Sequence, residues 1–239
     1  MPVREPNGID QRPALPSDIL PDDLIAIARD NKLYKTEHRN LPSRVSARIA
    51  LVAPVAADFP TWVYENGSYL HVMSDGLRLW HDSSIAAGTN VSCRVRQLPA
   101  GLWDVQLGCI KGFTFKRDIS GGLVLRESST GKLMTFGFGH PNGGNIQWFR
   151  YNSPTSFQEN VRSTWERNVG AAHFFRARLV GTEIEVLASP DGACWASFGT
   201  YPTTSGFTTA PDQWGFFLEP VNTNSPQVDP QIDVVHWQE

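Results

Sequence analysis

The segment at residues 183–201, EIEVLASPDGACWASFGTY, constrains the fold more than any other part of the chain. Apolar residues alternate up to Ala188, a Ser189-Pro190-Asp191-Gly192 turn interrupts them, and Trp195, Phe198 and Tyr201 follow. Proline presets φ, Asp-Gly accepts a positive φ, and each flank has one face to bury, so the segment predicts a β-hairpin. Turn signals of the same kind recur from residue 45 onward, including Asn66-Gly67 and Ser74-Asp75-Gly76. Between them lie short apolar or alternating runs at 49–55, 61–65, 69–73, 77–81, 91–97, 103–115, 123–127, 133–138, 146–151, 173–180, 184–188, 195–201, 214–219 and 232–237. In the run at 91–97, alternation predicts Arg94 and Arg96 on the outer face. Many short strands without a helical period predict an all-β fold, two antiparallel sheets packed as a jelly-roll sandwich.

A chain of 239 residues suits one such sandwich with an appendage. The division expected is an arm and hairpin at 1–44 and a sandwich at 45–239. Residues 1–23 are rich in Pro, Asp and Asn and show no periodicity, so they read as an extended arm that orders on a partner surface. Leu24, Ile25 and Ile27 precede Asp30-Asn31, and Leu33 and Tyr34 follow, which predicts a small hairpin. A short helix starting at Pro21-Asp22-Asp23 is the alternative for its first half. A lone hairpin is marginal in water, so these five apolar residues are the expected assembly contacts.

Charge and composition exclude several classes. A net charge of −3 with no Lys/Arg run leaves no basic footprint for nucleic acid or for an acidic membrane surface. No apolar stretch approaches a membrane span, and the N-terminus has no apolar signal core. The expectation is synthesis in a cytoplasm. Cys93, Cys109 and Cys194 are odd in number, which argues against a complete disulfide framework. Cys93 shares a strand face with Val91 and Val95, and Cys109 with Val105 and Leu107. Two readings fit them: reduced core thiols, or a bridge between neighbouring strands.

The residues 121–133, GGLVLRESSTGKL, are followed by 147–157, QWFRYNSPTSF, then by the SPDG turn and by Trp214-Gly215-Phe216-Phe217. In this order they resemble the concanavalin A-like lectin/glucanase sandwiches of tailed-phage virion proteins, over roughly residues 55–239. Residues 20–35 resemble the short assembly segments of phage fibre and decoration proteins. The resemblance implies attachment to other virion proteins through the arm, a homo-oligomer with a trimer as the usual state, and a displayed sandwich that touches host-surface glycans. The localisation it implies is the virion.

Catalytic chemistry is sparse. Glycoside hydrolysis needs two carboxyl groups about 5–10 Å apart. Glu183 and Glu185 share a face, but Leu187 stands where the usual strand motif has its third acid. Neither is expected to act in catalysis, and no enzyme activity is expected. Asp229 and Asp233 lack a companion Asn cluster, and the six histidines (38, 71, 81, 140, 173 and 236) show no ligand spacing, so no metal or other cofactor is expected. The loop Gly137-Phe138-Gly139-His140-Pro141-Asn142-Gly143-Gly144-Asn145 is the best candidate for recognition. Sugar sites pair an aromatic face with polar donors, and His140, Asn142, Asn145 and Trp148 offer both. Trp62, Trp80, Trp103, Trp195, Trp214 and Trp237 sit in strand patterns and are expected in the core. The functional expectation is a virion structural protein, a head or tail fibre or decoration component; the alternative is a carbohydrate-binding module without a virion role, and a glycoside hydrolase ranks last.

Overall fold

The computed structural model describes residues 24–29, 32–37, 50–65, 67–82, 84–85, 90–111, 119–139, 145–163, 173–220 and 229–239. The chain divides into two units, 1–47 and 48–239. In the first, β1 (Leu24–Arg29) and β2 (Lys32–Glu37) form the expected antiparallel hairpin, with Ile27 opposite Tyr34 and Ala28 opposite Leu33. The helix alternative does not hold.

The second unit is the expected sandwich of two seven-stranded sheets. Its strands are β3 (Thr61–Tyr64), β4 (Ser68–Met73), β5 (Gly76–His81), β6 (Ser92–Gln97), β7 (Asp104–Lys111), β8 (Ile119–Arg126) and β9 (Leu133–Gly139). They continue with β10 (Asn145–Ser153), β11 (Ser156–Ser163), β12 (Phe174–Val180), β13 (Glu183–Ser189), β14 (Ala196–Pro202), β15 (Gln213–Pro220) and β16 (Gln231–Gln238). Sheet I runs β11-β10-β9-β8-β15-β6-β3, and sheet II runs β14-β13-β12-β7-β16-β5-β4. The late strands β15 and β16 thus enter the middle of opposite sheets.

The SPDG segment behaves as its residues predict. Gly192 has φ of 75°. Asp191 Oδ1 accepts from the amides of Ala193 and Cys194, and Ser189 Oγ accepts from the Gly192 amide. Side-chain oxygens thereby satisfy backbone donors that the turn leaves open. Between the sheets, Trp214, Phe216 and Leu218 of β15 face Leu77, Leu79, Val105, Leu107 and Phe175, with Phe59 set edge-on to Trp214 and Phe216. These offset aromatic contacts are the favoured geometry for ring quadrupoles.

Sheet I departs from an apolar-in, polar-out alternation. All eight residues of β15 and all seven of β9 are buried. A second apolar layer of Val91, Cys93, Val95, Val124, Leu133, Tyr151 and Phe217 covers its outer face. The β10–β11 turn lies against that layer, because Pro154 O accepts from the Val91 amide at 2.8 Å. Three register shifts between β10 and β11, one of them between Arg150 and Tyr151, mark where the hairpin bends.

This layering corrects several expectations. Arg94 pairs with Phe216 and Arg96 with Trp214, so both arginines face the inter-sheet side. There they lie over Trp62 and Trp237, and Arg94 Nε donates to Phe59 O. Cys93 and Cys109 are buried and free, one in the outer layer and the other between the sheets, so they are not bridged. Burial pushes the Cys93 thiol up to about 12 and raises that of Cys109 as well. Trp80 and Trp195 leave the inter-sheet core: Trp80 stacks on Tyr69, and Trp195 lies under Arg176. Residues 50–55 form no strand. They are strapped to β16 by the Val52 amide donating to His236 Nδ1 (2.9 Å) and the Trp237 amide donating to Val52 O.

Candidate functional site

At one end of sheet I, β8 begins, β9 ends, β10 begins and β15 ends. The outward-facing positions there are polar within an otherwise apolar layer. Glu219 of β15 lies directly opposite Ser120 of β8. Ser120 Oγ donates to Gln147 Oε1 of β10 at 3.2 Å. A Cβ on Gly139 would fall 1.7 Å from that Gln147 oxygen, so glycine is what lets the Gln147 side chain lie across β9. All three polar side chains belong to buried residues. Tyr151, fully buried where β10 bends, reaches the same cluster.

The electrostatics are those of an incompletely satisfied acid. Burial pushes the Glu219 carboxyl up to about 7, although the Tyr151 and Ser120 hydroxyls favour its charged form. Burial, and then the Glu219 charge, likewise holds the Tyr151 phenol well above its usual range. Both hydroxyls lie near enough to act on its charge, yet no well-formed hydrogen bond closes on Glu219 Oε2 or on the Tyr151 hydroxyl among the described residues. A carboxyl poised near 7 can donate or accept a hydrogen bond at neutral pH, which suits a hydroxyl group on a ligand.

Four residues are predicted for recognition: His140, Asn142, Asn145 and Trp148. His140 and Asn142 lie outside the described residues. Asn145 is the first residue of β10, paired with Gly139. Trp148 points between the sheets and is fully buried, its ring edge-on to Tyr201 at 4.6 Å. Its neighbour Gln147 takes the outward position. The predicted assembly residues Leu24, Ile25, Ile27, Leu33 and Tyr34 all lie on the β1–β2 hairpin. Sequence reasoning missed Ser120, Gln147, Tyr151 and Glu219. The available signal was one acid, Glu219, closing the apolar run of β15.

The acidic pair on β13 sits on the outer face of sheet II. Glu183 is exposed, while Arg178 Nε donates to Glu185 Oε2 at 2.8 Å. The Arg178 hydrogen bond, against a burial penalty and with help from Ser197, holds Glu185 below the usual carboxylate range. Asp233 is engaged by Arg78 through two hydrogen bonds, of 2.7 and 2.8 Å. Among the described residues, no group of three His, Cys, Asp or Glu side chains is placed to hold a metal ion.

No family model and no curated protein matches this sequence. Among solved structures, a functionally unknown protein from Saccharomyces cerevisiae superposes with a TM-score of 0.52 at 12% identity, covering 74% of this chain and 94% of that one. A Bacillus licheniformis β-glucanase gives 0.46 at 11% identity, covering 70% and 79%. The carbohydrate-binding module CBM66 from Bacillus subtilis gives 0.40 at 9%, covering 75% and 94%. At these identities the likeness concerns the fold alone, a two-sheet β-sandwich.

Proposed function

We propose that the sandwich recognises a neutral saccharide through the Glu219 end of sheet I, without turnover. We further propose that residues 1–44 fix it to a virion. One observation carries the recognition reading: two buried oxygens, Glu219 Oε2 and the Tyr151 hydroxyl, lie together beside Ser120 and Gln147, and among the described residues no well-formed hydrogen bond closes on either. Buried polar groups left unpaired are costly, and a ligand that pairs them gains specificity. Sugar hydroxyls both donate and accept, so they match a carboxyl that titrates near neutrality. Binding rather than hydrolysis is our reading because a glycosidase needs a second carboxyl, and among the described residues no other carboxyl acts on Glu219.

The test is a glycan array probed with the full chain, assembled multivalently, alongside Glu219→Gln and Tyr151→Phe. Binding that weakens about tenfold or more in both variants supports the proposal. An empty array, or a hit indifferent to both substitutions, overturns it. The anchoring role rests on the hairpin belonging to a separate unit. Deleting residues 1–44 should abolish incorporation into particles, and a truncated chain that still decorates them removes that role.

A further inference from the structure

The outer face of sheet II carries a cleft of about 210 Å³ lined by Asp104, Gln106, Arg176, Gln238 and Glu239. It lies on the opposite sheet from Glu219 and uses none of the same residues. We infer that this cleft is a second saccharide subsite, which holds the vicinal diol of one neutral sugar ring.

The charges define the ligand first. Arg176 reaches Asp104 through both Nε and Nη2, the Nε contact being 2.6 Å. Glu239 Oε1 accepts from Arg96 Nε and from Trp214 Nε1, each at 2.9 Å. Every charge lining the cleft therefore already has an opposite charge against it, and a charged ligand would have to break a pair to gain one. A neutral ligand loses nothing of this kind.

The amides define the geometry. Gln106 and Gln238 are register partners on β7 and β16, and Gln106 Nε2 donates to Gln238 Oε1. That bond leaves Gln106 Oε1 as an acceptor, with N–H donors remaining on both Gln106 Nε2 and Gln238 Nε2. Rotating both amides exchanges the roles and leaves the same array. Adjacent hydroxyls on a ring offer a donor and an acceptor side by side, which is the complement. A secondary peptide amide presents its two groups on opposite sides and does not match.

The lining is held in place beforehand. The Arg176 guanidinium lies over Trp195 at 5.4 Å and that of Arg96 over Trp237 at 4.5 Å. Stacked cations with carboxylate partners lose little freedom when a ligand arrives. The volume is below the roughly 300–1,000 Å³ of sites for drug-sized ligands, which limits the occupant to about one ring.

The experiment is NMR titration of the full chain with methyl β-glucopyranoside, following the side-chain amide signals of Gln106 and Gln238. Acetamide, which offers a side-by-side donor and acceptor without a ring, serves as the second probe. The expected result is a joint, saturable shift of both amides with Kd on the order of 1–100 mM, abolished by Gln238→Ala. Glu219→Gln should leave this shift intact, so the two sites fail or succeed separately. Linear, unsaturated shifts overturn the inference, as does a response to acetamide alone or a shift that survives Gln238→Ala.

Discussion

Glu127 and Glu219 are two solvent-inaccessible carboxylates at opposite ends of the same strand pair, β8 and β15, and their surroundings differ in depth and in donors. Glu127 receives the amides of Thr208 and Thr209 and the hydroxyls of Thr130 and Thr209, all at 2.7–2.8 Å. Burial opposes its ionisation, but these donors outweigh it and hold the carboxyl down at about 2. Glu219 is equally inaccessible to solvent but lies deeper in the protein, has no well-formed hydrogen bond on Oε2, and rises to about 7. The comparison teaches that solvent exposure alone does not set the state of an acid. Depth and the donors aimed at it together decide whether it is held ionised or shifted toward neutrality.

The largest effect should come from removing the Glu127 carboxylate. Glu127→Ala leaves two loop amides without an acceptor and should destabilise the fold by about 3 kcal/mol in urea unfolding near neutral pH. A change within experimental error would mean that the 208–209 loop is held by other contacts. Next, Glu219→Gln should stabilise by about 2 kcal/mol at about pH 8, because the wild type must ionise a buried acid there. A loss of stability instead would show that the Glu219 carboxylate is already well paired.

The pH profiles sharpen the contrast. For Glu127 the folded value lies below the ordinary 4.5, so its contribution is complete above 4.5 and is lost as pH falls toward about 2. For Glu219 the folded value lies above 4.5, so its contribution is complete below 4.5 and is lost as pH rises through about 7. A smaller effect belongs to His236, which is fully buried with Nδ1 accepting from Val52. Burial lowers its pKa below the ordinary 6.5, so stability on this account falls as pH drops below 6.5, opposite in sign to Glu219. His236→Asn retains an acceptor for Val52 and should flatten that acid-side decline, read from urea midpoints across pH. The smallest effect is expected at exposed Glu183, where Glu183→Gln should change stability by less than about 0.5 kcal/mol.

Much of the architecture was legible because local chemistry and tertiary role agree. The 183–201 hairpin and the 24–37 hairpin both follow from their turn residues. Legibility failed where both faces of a strand are buried. Alternation then carries no direction, which is why Arg94 and Arg96 were placed on the wrong side. It also failed at β11, SFQENVRS, a largely exposed edge strand that carries little apolar signal. The apolar run at 49–55 looked like a strand, yet its described residues, 50–55, are a strap held at Val52. The candidate site was poorly legible. The recognition loop expected from composition lies mostly outside the described residues, and Glu219, Ser120 and Tyr151 come together through pairings distant in sequence that no local pattern announces.

The central position of β15 and β16 has a consequence for how the protein is made. Val234 pairs with Leu77, and Trp214 pairs with both Arg96 and Leu125. Until the ribosome has released residues beyond about 213, each sheet exists only as two halves facing a gap one strand wide. Both halves expose unpaired edges during that interval, and such edges invite pairing with neighbouring chains. Folding of this sandwich is therefore expected to finish only once β15 and β16 have been made, with slow closure governed by distant pairings, and to depend on what shields the open edges meanwhile.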